Sequence, residues 1–318
     1  MRPDDLMVLT RLGESISRWN HPDIRELSPA GRATLASVIA DSIRAVHPVR
    51  ASATPTSEAL ARKGVARLPM GLSREAAAGT AAYFAARPCL NKHVADFPHG
   101  DDTRRPVDGS ASEFAFGCYD RDEVLAAPNL LELFTREDVL DTVELALGAR
   151  PMIFSVNAYW SFPQSQPSPY GQEFHRDKSH SKFVVLFLYL TDTDAEGGAH
   201  EYFKFTHDPA ALAHALGRPA DSYFQKPMDG RGFCDLYLSE LGALLERIDG
   251  PAGTAFLTDA YGLHRGKPPS TRRRLLAWAR YSLFAIPPAL PRTPAAALGS
   301  RLPTDERARY ALRGVVEF

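Results

Sequence analysis

The chain has 318 residues, enough for a complete enzyme core, and its 44% hydrophobic and 24% charged residues are ordinary for a globular protein. A formal charge of −1 excludes the basic excess of a general nucleic-acid binder. Cys89, Cys118 and Cys234 are too few and too scattered for a disulfide framework or a cysteine-rich zinc site, so reduced structural thiols are expected.

The start, Met1-Arg2-Pro3-Asp4-Asp5, lacks the apolar stretch of a secretory signal. No apolar run approaches the roughly 20 residues of a spanning helix. A cytoplasmic protein with no membrane span is expected. Residues 1–62 read as a helical extension. Leu6, Leu9, Leu12, Ile16 and Trp19 form one helical stripe, and Ser28-Pro29 starts a second helix carrying Ala36, Val38, Ile39, Ile43 and Val46. The polar stretch Ala51 to Ser57 reads as a linker.

Gly64 to Pro69 then reads as a short strand, and Ser73 caps a helix that runs through Ala86. Lys92 to Asp122 is polar and irregular, a loop suited to cover a site. Helices return at Leu130 to Phe134 and at Glu137 to Leu147, the latter closing at Gly148. From Pro151 the period changes to two. Met152, Phe154, Val156, Ala158 and Trp160 alternate with Ile153, Ser155, Asn157, Tyr159 and Ser161, and the second set faces a cavity if the strand lines one.

Phe183 to Leu190 is apolar on both faces, as for a strand between a sheet and a covering layer. Further strands are expected at Glu201 to Phe205, Gly253 to Leu257 and Leu275 to Phe284, with a helical insertion at about 209–248. Short strands with turns between them suggest a sandwich or barrel. The division is an extension at 1–62, a main domain at 63–290 and a tail at 291–318.

His175-Arg176-Asp177 stands between strand-like runs. In extended chain, residues i and i+2 point to one side. His175 and Asp177 can therefore hold one metal ion, with His264 as third ligand. Two histidines and a carboxylate on one face leave the other positions open, the arrangement of non-haem Fe(II) oxygenases. The same spacing recurs at His21/Asp23 and His99/Asp101, but in polar or Pro-containing connections with no strand after them. Downstream lie Arg272, Arg273 and Arg274. Alternation puts Arg272 and Arg274 on the face of Leu276, Trp278 and Arg280, with Arg273 turned away.

The order His175-x-Asp177, apolar strand, Thr191-Asp192, Gly197-Gly198, Thr206-His207, Gly250-x-x-Gly253, Asp259, His264-Arg265-Gly266 and Arg274 to Tyr281 resembles the phytanoyl-CoA dioxygenase-like family of Fe(II)- and 2-oxoglutarate-dependent oxygenases. The resemblance spans roughly residues 150–284, and more weakly Gly64 to Pro69 with the Ser73 helix. It implies an α+β fold with a double-stranded β-helix (jelly-roll) core and helices packed on one face. It also implies Fe(II) on His175, Asp177 and His264, with 2-oxoglutarate and O2 as cosubstrates.

The far carboxylate of 2-oxoglutarate calls for a fixed cation, and the planar fork of arginine suits it. The family pattern places that arginine seven residues before the aromatic ending the strand, so Tyr281 selects Arg274. Related halogenases have a small residue in place of the carboxylate ligand. Asp177 therefore points to hydroxylation or another oxidation of a small molecule, with succinate and CO2 as co-products.

Asn157, Tyr159 and Gln172 are candidate contacts to the cosubstrate. Lys178, His180 and Lys182, with Lys204, His207 and Lys267, suggest an anionic substrate. Trp160 and Tyr170 are candidates for a pocket floor. A metal cupin enzyme that does not use 2-oxoglutarate and a non-catalytic jelly-roll binding protein are the competing readings. Nothing in the sequence fixes the oligomeric state.

Overall fold

The computed structural model describes residues 27–93, 103–107, 115–164, 171–225, 239–285 and 292–318. Eight strands form one sheet in the order β1 (Val65–Arg67), β9 (Ala255–Asp259), β6 (Phe183–Tyr189), β11 (Arg274–Ser282), β5 (Met152–Ser161), β4 (Phe116–Cys118), β2 (Cys89–Leu90) and β3 (Arg104–Arg105). Every pairing in it is antiparallel. A second antiparallel sheet has the order β10 (His264–Gly266), β7 (His200–Phe203), β8 (Leu245–Ile248). A small parallel pair joins β12 (Thr293–Pro294) to β13 (Val316–Glu317).

The two faces of β6 explain its unbroken apolar sequence. Val184, Leu186 and Leu188 belong to the large core built with the helices. Phe183, Val185, Phe187 and Tyr189 point the other way, into a second core shared with Phe256 of β9, Leu276 and Trp278 of β11, and Tyr202 and Ile248 of the smaller sheet. The large sheet therefore lies between a helical layer and the small sheet. Full burial of each such side chain contributes about 1.5–3 kcal/mol.

The helical layer starts where the capping signals place it. Ser28 Oγ accepts from the Gly31 N–H at 3.1 Å and opens the helix Pro29–Val46, which buries Ile39, Ala40 and Ile43. Ser73 Oγ accepts from the Ala76 N–H and opens Arg74–Ala85. Glu137–Leu147 ends at Gly148, whose φ of 80° is the left-handed conformation that glycine adopts without a Cβ penalty.

Several elements differ from their sequence reading. The supposed linker contains a helix start, since Thr54 caps Pro55–Lys63 through a reciprocal bond pair with Ser57. Proline at the first helical position reads equally as linker or as helix start. Strands β2, β3 and β4 lie within or beside the segment expected to be an irregular loop, and each has only two or three residues. The expected helical insertion holds the helices Pro209–Leu216 and Ser222–Gln225, but its end is β8. The strand expected to run to Phe205 stops at Phe203, and Phe205 takes a φ of 69°. In the carboxy-terminal segment, Leu298, Ala311, Leu312, Val315 and Val316 pack into the large core.

Strand β5 carries the most instructive difference. Its pairing with β11 shifts between Arg280 and Tyr281, so Arg280 pairs with Ser155 while Tyr281 pairs with Ile153. The irregularity exchanges two side chains between faces. Ile153 joins Val156 in the helical core, and Phe154 turns to the inter-sheet side, beside Phe183. Strict alternation fails there because a bulge inserts one residue. Among the described residues, no helix is long and apolar enough to cross a membrane. The amino-terminal stripe from Leu6 to Trp19 lies outside the described residues, as does Cys234.

Candidate metal centre

His175 and His264 exchange both backbone hydrogen bonds, N–H to C=O at 2.9 and 3.0 Å, as an isolated antiparallel bridge. Residues paired in this way project their side chains to the same face, and the two rings stand with centroids 4.4 Å apart. Asp177 follows on the same side, its N–H bonded to the Ala260 carbonyl at 3.0 Å. Arg176 between them turns away, donating to the Thr206 and Tyr261 carbonyls. This alternation is the pattern read from the sequence.

Backbone carbonyls fix the ring orientations. Nδ1–H of His175 donates to Glu173 O at 2.8 Å, and Nδ1–H of His264 donates to Gly262 O at 2.8 Å. Each ring is therefore held in the tautomer whose Nε2 lone pair faces inward, the support that metal-ligating histidines commonly have. Nε2 of His175 stands 3.6 Å from Asp177 Oδ1. One ligand atom from each of His175, Asp177 and His264 lies within 4.8 Å of the others, and the three could hold a metal ion. Donors about 2.1 Å from one ion stand at most roughly 4.2 Å apart, so a small side-chain movement closes the set. Two imidazoles and one carboxylate suit Fe(II) and leave a face open.

Burial and the neighbouring charges hold His264 and Asp177 in their metal-binding forms. Burial lowers the His264 pKa to about 4, with His175 adding to the effect. Burial alone would raise the Asp177 carboxyl, but Arg280, then His175, His264 and His93, hold it below the ordinary range. A neutral imidazole and an ionised carboxylate are the forms that bind metal.

Arg274 occupies the inter-sheet space on the same inward side. It is 1% exposed, donating from Nη1 to the Gly198 carbonyl and from Nη2 to Ser161 Oγ at 3.1 Å. Its Nε has no hydrogen-bond partner among the described residues. Gly266 makes room for it, since a Cβ there would meet Arg274 Nη2 at 3.0 Å. Gly266 lies two residues along β10 from His264, roughly 7 Å. The fixed cation thus stands on the His264 face of β10, two residues along the strand from that histidine.

The other arginines are elsewhere. Arg273 turns to the helical side, bonding Val107 O at 2.6 Å and lying over the Trp160 ring. Arg272 does not share the inward face, because β11 begins only at Arg274. It is exposed and paired with Asp194. Trp160 is helical core rather than pocket floor, with its Nε1–H donating to Tyr119 OH.

Tyr159 is buried on the inter-sheet side, where burial raises its pKa beside Arg274 and Arg280. Asn157 donates from Nδ2 to the His93 carbonyl at 2.8 Å, so its amide positions His93. Gln172 is buried.

Lys178, His180 and Lys182 do not form one cationic mouth. His180 is 2% exposed and packs on Phe154 at 3.9 Å and on Phe284. Lys182 lines a different cavity, of about 490 Å³, against the helix Pro29–Val46, together with His207. Lys178, Lys204 and Lys267 are half-buried. His21, Asp23, His99, Asp101 and Tyr170 lie outside the described residues.

Three residues without a role in the sequence reading join the site. Arg280 donates to Asp177 Oδ2 at 3.5 Å and lies over the Trp278 ring; its signal was present, since alternation already set it on the face of Arg274. His93 packs on Phe116 and Tyr159, and its pKa falls to about 3 through burial and then Arg280. His200 stacks on His264 with ring centroids 5.5 Å apart. Neither histidine belongs to a spacing pattern that could have marked it.

No protein-family model matches the chain, and no curated protein matches it. Solved structures do. The non-heme alpha ketoglutarate dependent epimerase SnoN from nogalamycin biosynthesis is 16% identical, with 71% of this chain and 79% of that one covered and a TM-score of 0.46. EctD from S. alaskensis with 2-oxoglutarate and 5-hydroxyectoine is 15% identical over 85% of this chain and 89% of that one, with a TM-score of 0.47. The non-heme monooxygenase ThoJ, as a nickel complex, is 16% identical over 75% and 81%, with a TM-score of 0.40. Likenesses this distant assign no chemistry to the present chain.

Proposed function

We propose that the chain is an Fe(II)- and 2-oxoglutarate-dependent oxygenase of the phytanoyl-CoA dioxygenase-like type, built on a double-stranded β-helix core. It hydroxylates an unactivated C–H bond of a small molecule, with succinate and CO2 as co-products. The observation that carries the reading is the shared inward face of two features, the convergent His175, Asp177 and His264 and the buried guanidinium of Arg274.

In this reading His175, Asp177 and His264 hold the metal, which with its bound oxoacid supplies O2 activation. Arg274 binds the distal carboxylate, and Ser161 and Gly198 O hold the guanidinium in place. Tyr159 lies beside Arg274, with its phenol kept protonated by burial. Asn157 acts through His93 rather than on the cosubstrate. Substrate charge is not part of the reading, because His180 is buried against Phe154 and Phe284 and Lys182 lines the cavity beside the helix Pro29–Val46.

A metal cupin that does not use 2-oxoglutarate has no use for Arg274. A buried guanidinium with an unpaired Nε is costly unless an anion completes its shell. The test is a metabolite screen with Fe(II), 2-oxoglutarate and O2, scored by succinate release. The expected result is succinate formation that depends on His175, Asp177, His264 and Arg274. Release that is indifferent to Arg274→Ala overturns the cosubstrate assignment.

A further inference from the structure

His200 lies in β7 directly opposite Gly266 of β10, as Tyr202 lies opposite His264. Side chains of paired residues share a face, and so do residues i and i+2 along a strand. The His200 ring therefore stands on the inward side with His264, over the gap that Gly266 leaves for Arg274. The ring is 3% exposed, in an aromatic setting made by Phe187 at 4.7 Å, Phe256 at 5.2 Å and the His264 imidazole. In spite of this burial, Nε2 has no hydrogen-bond partner among the described residues. An orphaned buried polar atom costs free energy that an apolar side chain of similar shape would not. Phenylalanine or leucine would fill this position more cheaply.

The surroundings indicate what completes it. His200 is not within the set of atoms that could hold a metal, which comprises His175, Asp177 and His264 alone among the described residues. Its neighbours on the inward face are His264 on one side and Arg274 on the other, and Arg274 also has an unpaired buried nitrogen, Nε. An unpartnered imidazole nitrogen beside a guanidinium that has an unpartnered Nε of its own fits a carboxylate, if the imidazole carries its proton on Nε2. The cation supplies the charge, and a neutral imidazole N–H adds direction without a second full charge in a low-dielectric space.

We propose that His200 is a cosubstrate-binding residue, donating from Nε2 to the distal carboxylate that Arg274 holds. This rests on the oxygenase reading above and adds to it a second anchor for the dicarboxylate. His200 and Arg274 together distinguish a diacid from a 2-oxoacid with an apolar tail.

The test compares two ligands on the intact, iron-loaded protein without oxygen. One is 2-oxoglutarate. The other is 2-oxovalerate, which keeps the keto acid but lacks the distal carboxylate. Binding is read from the visible absorption of the chelate, and iron affinity is measured separately. His200→Leu is expected to weaken 2-oxoglutarate on the order of 10- to 100-fold, the loss of one hydrogen bond to a charged group. It should leave iron affinity and 2-oxovalerate binding within about 2-fold of wild type.

His200→Gln, which restores a donor, should recover much of the 2-oxoglutarate affinity. An equal loss for both ligands, or a loss of iron, makes His200 a structural support of His264 and overturns the proposal. Unchanged 2-oxoglutarate affinity in folded His200→Leu overturns it as well. If wild type itself binds iron but not 2-oxoglutarate, the oxygenase reading falls and takes this assignment with it. Should His200→Leu not fold, His200→Gln and His200→Phe carry the same comparison.

Discussion

Arg280 Nη2 stands 3.5 Å from Oδ2 of Asp177, while Oδ1 of the same carboxylate faces Nε2 of His175 at 3.6 Å. The two oxygens thus have separate tasks. One is turned to the imidazoles and the other to a cation 26% exposed.

The pairing predicts a pH effect. Burial pushes the Asp177 carboxyl up, and Arg280 is the first group that brings it down. A depressed pKa keeps the carboxylate ionised as pH falls, until the lowered value is reached. Arg280→Met should therefore make the group protonate at higher pH. Titrating bound Co(II) by its visible absorption should show acid-induced release moving to higher pH. An unmoved release midpoint would separate Arg280 from the ligand set.

The three ligands should be individually necessary for metal and dispensable for folding. His175→Ala, Asp177→Ala and His264→Ala are each expected to lose tight Fe(II) or Mn(II) binding while keeping the wild-type circular dichroism spectrum. His21→Ala and His99→Ala should retain the metal. Loss at either of these with retention in His175→Ala would mean that the centre lies elsewhere.

The arginine triplet gives a graded series. Arg274→Ala removes a buried charge from a closed site, a loss of about 2–5 kcal/mol and on the order of 30- to several-thousand-fold in 2-oxoglutarate affinity, with iron retained. Arg273→Ala acts on the other face, and Arg272→Ala breaks only an exposed pair with Asp194. Exposed pairs contribute about 0–1 kcal/mol to stability. Isothermal titration should therefore rank Arg274 far above its two neighbours, and equal effects at all three would contradict the inward placement.

Part of this site's geometry was legible in the sequence because one rule of extended chain suffices for it. Period-two alternation puts His175 with Asp177 and separates Arg274 from Arg273. The strand β6 was legible for the same reason, as its two apolar faces meet two cores. Alternation failed where the chain is not regular. The shift opposite Arg280 moved Ile153 and Phe154 to unexpected faces, and the late start of β11 left Arg272 outside the sheet. His93 and His200 were illegible, because they reach the site through tertiary packing rather than through spacing. The cationic mouth drawn from Lys178, His180 and Lys182 failed for a related reason: closeness in sequence did not place His180 at the surface.

Arg32 ties the helix Pro29–Val46 to the loop that follows Asp177. Arg32, 3% exposed, donates to the carbonyls of His180 at 2.7 Å and Lys178 at 3.3 Å, and its guanidinium lies over Tyr261. Arg32→Ala leaves both carbonyls without this donor and should cost about 2–4 kcal/mol. Urea unfolding reads the loss. Limited proteolysis should find new cleavage near Lys178 or Lys182, and a variant as stable and as resistant as wild type would show that the helix does not brace the loop.

The central claim, that one inward face binds a metal and a 2-oxoacid together, is most directly tested by mixing Fe(II), 2-oxoglutarate and the protein without oxygen. The expected result is a weak visible charge-transfer band that saturates with 2-oxoglutarate and is absent in His175→Ala and Asp177→Ala. In Arg274→Ala the same band should need far more 2-oxoglutarate to develop. Iron binding by the wild type with no band at any 2-oxoglutarate concentration would contradict the claim.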